Sequence, residues 1–150
     1  MTDQLPHDPY ITAVGDALAA VGMDAAHHWT SDADTRGLHH YLNATLTLTS
    51  EDSGIDPALW PNGLLLIWEW HPGREDGEAD RGPVWLWAKQ LRDGGNSTPE
   101  VLPVDGYANP LQVAAAGHEL AITGRAVKRR PGQWTSARGL TAAITVWEEA

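Results

Sequence analysis

The chain has 150 residues, 42% of them hydrophobic, and a formal charge of −10 from 20 acidic and 10 basic side chains. That length suits one domain, 1–150, which buries roughly 68–70% of its unfolded surface. The acidic balance argues against broad binding to nucleic acid or to anionic membranes, which needs a basic surface. With no cysteine, disulfides, thiolate metal sites and cysteine nucleophiles are excluded.

The apolar runs, such as Leu64 to Trp68, are far too short to cross a bilayer. The start, Met1-Thr-Asp-Gln, is neither basic nor apolar, so no signal peptide is expected and a cytoplasmic location is the default reading. Eight tryptophans against no phenylalanine, and lysine only at 89 and 128 against eight arginines, give the composition a high-GC bacterial cast.

In chain order, Asp8 and Pro9 mark a helix start, with Asp8 as the expected cap. Ile11, Val14, Leu18 and Val21 then recur at helical spacing, and Gly22 supplies a stop. Residues 25–30 and 38–49 read as strands, separated by turn chemistry at 31–37. The second strand alternates Leu42, Ala44, Leu46 and Leu48 with Tyr41, Asn43, Thr45 and Thr47, the pattern of a sheet buried on one face.

Residues 50–63 form a connection, with one helical turn expected at 56–60 and a turn at Pro61-Asn-Gly63. Strands follow at 64–71 and 83–90, joined by an acidic loop. Residues 92–109 read as loop with a short extended piece at Val101–Val104. Asn109-Pro110 repeats the cap-and-proline start of a second helix, ending at Gly124 or running on to Pro131. The tail from Thr135 to Glu149 is read as helix on the spacing of Leu140, Ile144 and Trp147. The fold class expected is therefore α+β: an N-terminal helix, an antiparallel meander sheet of four to five strands, and C-terminal helices.

Charged residues avoid burial. Glu69 and Lys89 therefore mark the outer sheet face. On that assignment Leu64, Leu66, Trp68, Trp70, Val84 and Leu86 face the core. Leu65, Ile67, Trp85 and Trp87 face outward, with Tyr41, Glu69 and His71 nearby. An outward face this apolar is either a binding surface or is covered by the chain's own C-terminal helix.

The sequence contains no phosphate-binding glycine loop, no dinucleotide fingerprint, no nucleophile elbow and no H-E-x-x-H. Asp76-Gly-Glu78-Ala-Asp80 alternates carboxylates like a calcium loop. It lacks the glycine at the sixth position and the glutamate at the twelfth, as Asp32-Ala-Asp34 lacks later ligands, and both read as solvated turns. If residues 31–37 and 50–62 close symmetric hairpins, His27 and His71 both lie opposite Tyr41 and Trp29 lies opposite His39. His27, His39 and His71 then share the outer face with Glu69, a set able to ligate zinc or a similar metal. Arg125, Lys128, Arg129 and Arg130 form the single basic cluster. It is read as favouring a helix C-terminus rather than a phosphate.

The run Tyr10-Ile-Thr-Ala-Val-Gly-Asp-Ala-Leu18, the Leu-rich strand ending in Trp68-Glu69, and Leu102-Pro-Val104 before a small-residue helix together resemble an uncharacterised family of small high-GC bacterial proteins. The resemblance spans residues 9–124, rests on packing motifs and implies no site. The order of helix, strands and helix is also similar to that of secretion-chaperone-like and toxin-immunity proteins, a likeness of fold alone.

The leading functional expectation is a non-enzymatic acidic module, of immunity, inhibitor or chaperone kind. It binds a basic protein through Trp85, Trp87, Leu65, Ile67, Tyr41 and Glu69, without a cofactor, nucleic acid or membrane. A homodimer through the same face is an alternative occupant. Alternative functions are a metal-dependent enzyme using His27, His39 and His71, and a small-ligand domain whose tryptophans stack on flat molecules.

Overall fold

The computed structural model describes residues 4–35, 39–73 and 81–149, with backbone alone at 33–35, 39 and 40. Helix α1 (Asp8–Ala20) leads into β1 (His27–Thr35) and β2 (His39–Leu48). The short α2 (Ser50–Ser53) precedes β3 (Leu64–His71), β4 (Gly82–Lys89) and β5 (Glu100–Val101). Helices α3 (Pro110–Thr123) and α4 (Ala137–Glu149) complete the α+β fold. The five strands form one antiparallel sheet in chain order. The expected meander is present, and no described helix is long and apolar enough to cross a membrane.

Helix α1 starts at Asp8, but its N-cap is His7. The Asp8 carboxylate instead accepts from the Leu5 backbone N–H at 2.9 Å and from the Thr30 hydroxyl. It ties the helix to β1, and this corrects the expected capping role. Helix α3 follows its expectation: Asn109 Oδ1 accepts from Leu111 N at 2.9 Å, and Gly124 ends the helix at φ +79°.

Two expected elements change. The first strand runs to Thr35 instead of ending at residue 30, because the ten residues of β2 give Ser31 to Thr35 continuous pairing partners. Pairing outweighs the local turn preference of Ser31-Asp-Ala-Asp. The regular helical turn lies at Ser50–Ser53, where Thr49 Oγ1 accepts from Asp52 N at 3.0 Å; residues 57–59 form only a turn.

The core lies between one sheet face and the helices. It joins Tyr10, Ile11, Val14 and Leu18 of α1, Val113, Ala114 and Leu120 of α3, and Leu140 and Ile144 of α4. Against them pack Leu42, Leu46, Leu66 and Trp68 of the sheet. Helices α1 and α3 approach closely over Leu66, because Gly117 has no side chain there. A Cβ at 117 would lie 3.2 Å from Leu66 Cδ1 and 3.7 Å from Leu18 Cδ2.

The buried indoles have hydrogen-bond partners, as burial requires. Trp60 donates to the Ala121 carbonyl at 3.0 Å, and Trp68 to the Gly106 carbonyl at 2.8 Å.

Candidate functional site

Pairing fixes which side chains share a face, since residues directly opposite in antiparallel strands point the same way. Leu66 lies opposite Trp87, Trp68 opposite Trp85, and Leu64 opposite Lys89. Trp85 and Trp87 therefore point to the core side, and Val84, Leu86 and Ala88 to the other side. This overturns their expected outward placement. Trp85 is 1% exposed, while Leu86 is half-buried rather than fully buried.

The physical reason for the error is the position of Lys89. It sits on the helix-bearing face at the end of β4, where that face runs out to water. There it lines a trough with Leu59, Trp60, Trp87, Ser97, Glu100 and Gly124. A charged residue at a strand end marks the rim of a face, not its side. Trp87 is half-buried in this trough, its ring edge-on to Trp60 at 5.9 Å.

The opposite face carries Trp29 on β1; Asn43, Thr45 and Thr47 on β2; Leu65, Ile67, Glu69 and His71 on β3; Val84, Leu86 and Ala88 on β4; and Val101 on β5. None of Leu65, Ile67, Val84 and Leu86 joins the core cluster. Trp29 is 49% exposed and Val101 67%. The C-terminal helix does not cover this face. Leu140 and Ile144 of α4 enter the core, and Trp147 packs edge-on to Trp70, 6.3 Å between ring centroids, from the helix-bearing side. Among the described residues, all three long helices pack on one side and none lies over the apolar strip Trp29–Ile67–Leu86, in which Ile67 and Leu86 are half-buried; the neighbouring Thr47 and Ala88 are buried on the same face.

Of the expected binding residues, Leu65, Ile67, Tyr41 and Glu69 keep their outward places. Trp85 and Trp87 do not. Sequence reasoning left out Trp29, Val84 and Leu86 as contact residues. The signal for Trp29 was present, since the expected hairpin sets it opposite His39 on the outer face; the structure sets it opposite Thr45, on the same face.

At one end of the open face, His71 Nε2 lies 3.3 Å from Glu69 Oε1, and its ring stands edge-on to Tyr41 at 5.9 Å. His27 is elsewhere. It lies opposite Thr47, not Tyr41, six residues further along β2 and so roughly 20 Å away. The outward parity of His27 is as expected, but the slip in register separates it from His71. The side chain of His39 lies outside the described residues, and so do all residues of the acidic loop at 74–80. Among the described residues no three His, Asp or Glu side chains gather as a metal set.

The basic cluster does not continue α3, which ends at Thr123. Arg129 pairs with Asp105 at 2.6 Å and Arg130 with Glu119 at 3.2 Å, so both pin the segment after the helix back onto the fold.

One histidine unused in the sequence reading is buried outright. His7 is 0% exposed and stacks on Trp68, 5.3 Å between ring centroids. Its Nε2 lies 2.8 Å from the Asn43 carbonyl, and its Nδ1 is buried without a partner. Burial holds its pKa below the ordinary value, against the pull of Asn43, Asp8 and Asp32.

No protein-family model, no curated protein sequence and no solved structure matches this chain.

Proposed function

We propose that the chain is a non-enzymatic protein-binding module, of immunity, inhibitor or chaperone kind, whose recognition surface is the open sheet face. The observation that carries this reading is the segregation of the long helices to one side, which leaves Trp29, Leu65, Ile67, Val84 and Leu86 in contact with water. Large apolar patches left uncovered on a folded domain mark interaction sites; here Trp29 is exposed and Leu65, Ile67, Val84 and Leu86 are half-buried. Trp29 supplies the rigid aromatic anchor expected of a binding hot spot. The net charge of −10 favours a basic partner, attracted at long range.

The test is affinity capture from the cell of origin, followed by titration of the captured protein against the purified chain and two variants. Trp29→Ala and Ile67→Arg should each weaken binding by about thirtyfold or more, the effect of a 2 kcal/mol hot spot. Near-ultraviolet circular dichroism of the buried tryptophans confirms that each variant is folded. A partner held equally by all three removes the open face from the function.

A second reading rests on Trp87. Its indole forms one wall of a trough of about 340 Å³, with Lys89 and Glu100 at the rim. A flat ligand stacking there would quench Trp87 and leave the behaviour of Trp29→Ala unchanged. That outcome would move the function from the sheet face to the trough.

A further inference from the structure

The two edges of the sheet are guarded differently. A sheet edge offers unpaired N–H and C=O groups to any incoming strand, and folded proteins blunt such edges with short strands, prolines, lysines or bulges. The β5 edge is blunted. It is two residues long, Glu100–Val101, and flanked by Pro99 and Pro103. The β1 edge is not. It runs for nine residues, His27–Thr35, paired to β2 without a bulge, and contains no proline, glycine, lysine or arginine. His27, His28, Trp29 and Asp32 along it are all exposed.

The side chains of this edge are arranged directionally along its length. Two histidines open the strand, and Asp32 and Asp34 lie toward its far end. An antiparallel copy of the same strand reverses that order. We propose that the partner of this edge is a second copy of the chain, joined β1 to β1 about a two-fold axis at Thr30, so that two five-stranded sheets become one of ten strands.

The register follows from symmetry. A two-fold axis normal to the sheet brings a residue opposite its own copy and keeps both open faces on the same side. With Thr30 opposite Thr30, His28 of each copy lies opposite Asp32 of the other, and Trp29 opposite Ser31. Each imidazole N–H then faces a carboxylate, twice per dimer. The two Trp29 rings become diagonal neighbours on the open face, a spacing within reach of aromatic side chains. This gives Trp29, 49% exposed in the single chain, a partner. It also joins the two open faces into one continuous apolar surface. The inference concerns the edge, not the face, and stands whether or not the face binds another protein.

Sedimentation equilibrium of the intact chain over a wide concentration range tests it with three variants. The wild type should show a monomer–dimer equilibrium. Asp32→Lys should raise the dissociation constant by about tenfold, because each substitution removes two cross-strand pairs. The double variant His28→Asp with Asp32→Lys sets a carboxylate opposite an ammonium across the axis and should recover most of that loss. Ile67→Arg, on the open face away from the edge, should dimerise as the wild type does. A chain monomeric at all concentrations overturns the proposal. So does a dimer insensitive to Asp32→Lys, a loss the double variant fails to restore, or a dimer broken by Ile67→Arg. Thermal unfolding of each variant confirms that the monomer itself is intact.

Discussion

The Trp85 indole N–H donates to the Tyr10 hydroxyl at 3.0 Å, and that hydroxyl donates onward to the Ala108 carbonyl at 2.6 Å. The relay joins β4, α1 and the segment before α3 through groups that are 0–1% exposed. It is also why Trp85 cannot serve as an outward anchor: its polar atom is used inside.

Tyr10→Phe removes the middle of this relay. The Trp85 N–H is then left buried without an acceptor and the Ala108 carbonyl loses its donor. A buried donor without its partner costs about 1–3 kcal/mol. Urea unfolding should show that loss with an unchanged slope. Burial also pushes the Tyr10 pKa far above its ordinary value. The unfolded chain releases this proton from about pH 10 while the folded chain keeps it. Stability should therefore fall as pH rises above 10, and that part of the fall should be absent in Tyr10→Phe.

His7 gives the opposite dependence. Its folded pKa is lowered by burial, so the unfolded chain takes up the proton first as pH falls through about 6.5. Its contribution to stability is full above that value and declines below it, by up to about 1.4 kcal/mol per pH unit for one proton. Denaturant titrations between pH 7 and 5 should show a shallower decline for His7→Phe than for the wild type. Equal slopes would mean that His7 stays neutral in both states or is charged in both.

Gly106 is fixed by close approach. A Cβ there would lie 2.4 Å from the Pro83 carbonyl oxygen and 2.5 Å from its ring, so backbone would have to move. The Gly106 carbonyl also accepts the Trp68 indole N–H. Gly106→Ala should cost about 1–3 kcal/mol or more from strain alone. Gly139 is the control. It is exposed within α4, and a Cβ there meets nothing within 4 Å. Gly139→Ala should raise stability by about 0.5–1 kcal/mol. Thermal melts of the two variants should move in opposite directions.

The elements were legible where one physical signal dominated. Asn109-Pro110 and Gly124 bound α3 as expected, and the strict alternation of β2 gave its buried face. The pairing of Leu42 with Trp70 follows from the expected hairpin between Tyr41 and His71. The sequence misled where two faces carry similar residues. In β4, Val84, Leu86 and Ala88 alternate with Trp85 and Trp87, so hydrophobicity does not separate the sides, and the lone charge at Lys89 sits at a rim. For β1 the local turn residues hid a strand whose length is set by its neighbour. The same effect separates His27 from His71: β1 pairs six residues further along β2 than a hairpin closed by residues 31–37 alone requires. The open face survived these errors, since its Leu65, Ile67 and Glu69 belong to β3, where Glu69 lies mid-strand and marks the outer side correctly, as Lys89 at the end of β4 does not.

A pair of leucine substitutions separates the two sides of the sheet. Leu46 is fully buried between β2 and the helices, with its Cδ2 near Gly15 of α1. Leu46→Ala leaves a cavity that the surrounding helices cannot close, and should cost about 2–5 kcal/mol. Leu65 occupies the neighbouring position of β3, opposite Thr47 and Ala88, with no described helix above it. Water can fill the space left by its side chain, so the cavity term is absent and only part of the transfer term remains. Leu65→Ala should therefore cost less than about 1.5 kcal/mol. A loss at Leu65 as large as that at Leu46, measured by urea unfolding at low protein concentration, would show that the face is covered in solution. The same measurement at high concentration adds a discriminating result. If a second molecule seats on the face itself, the cost at Leu65 grows with concentration. If copies join only at the β1 edge, it stays constant.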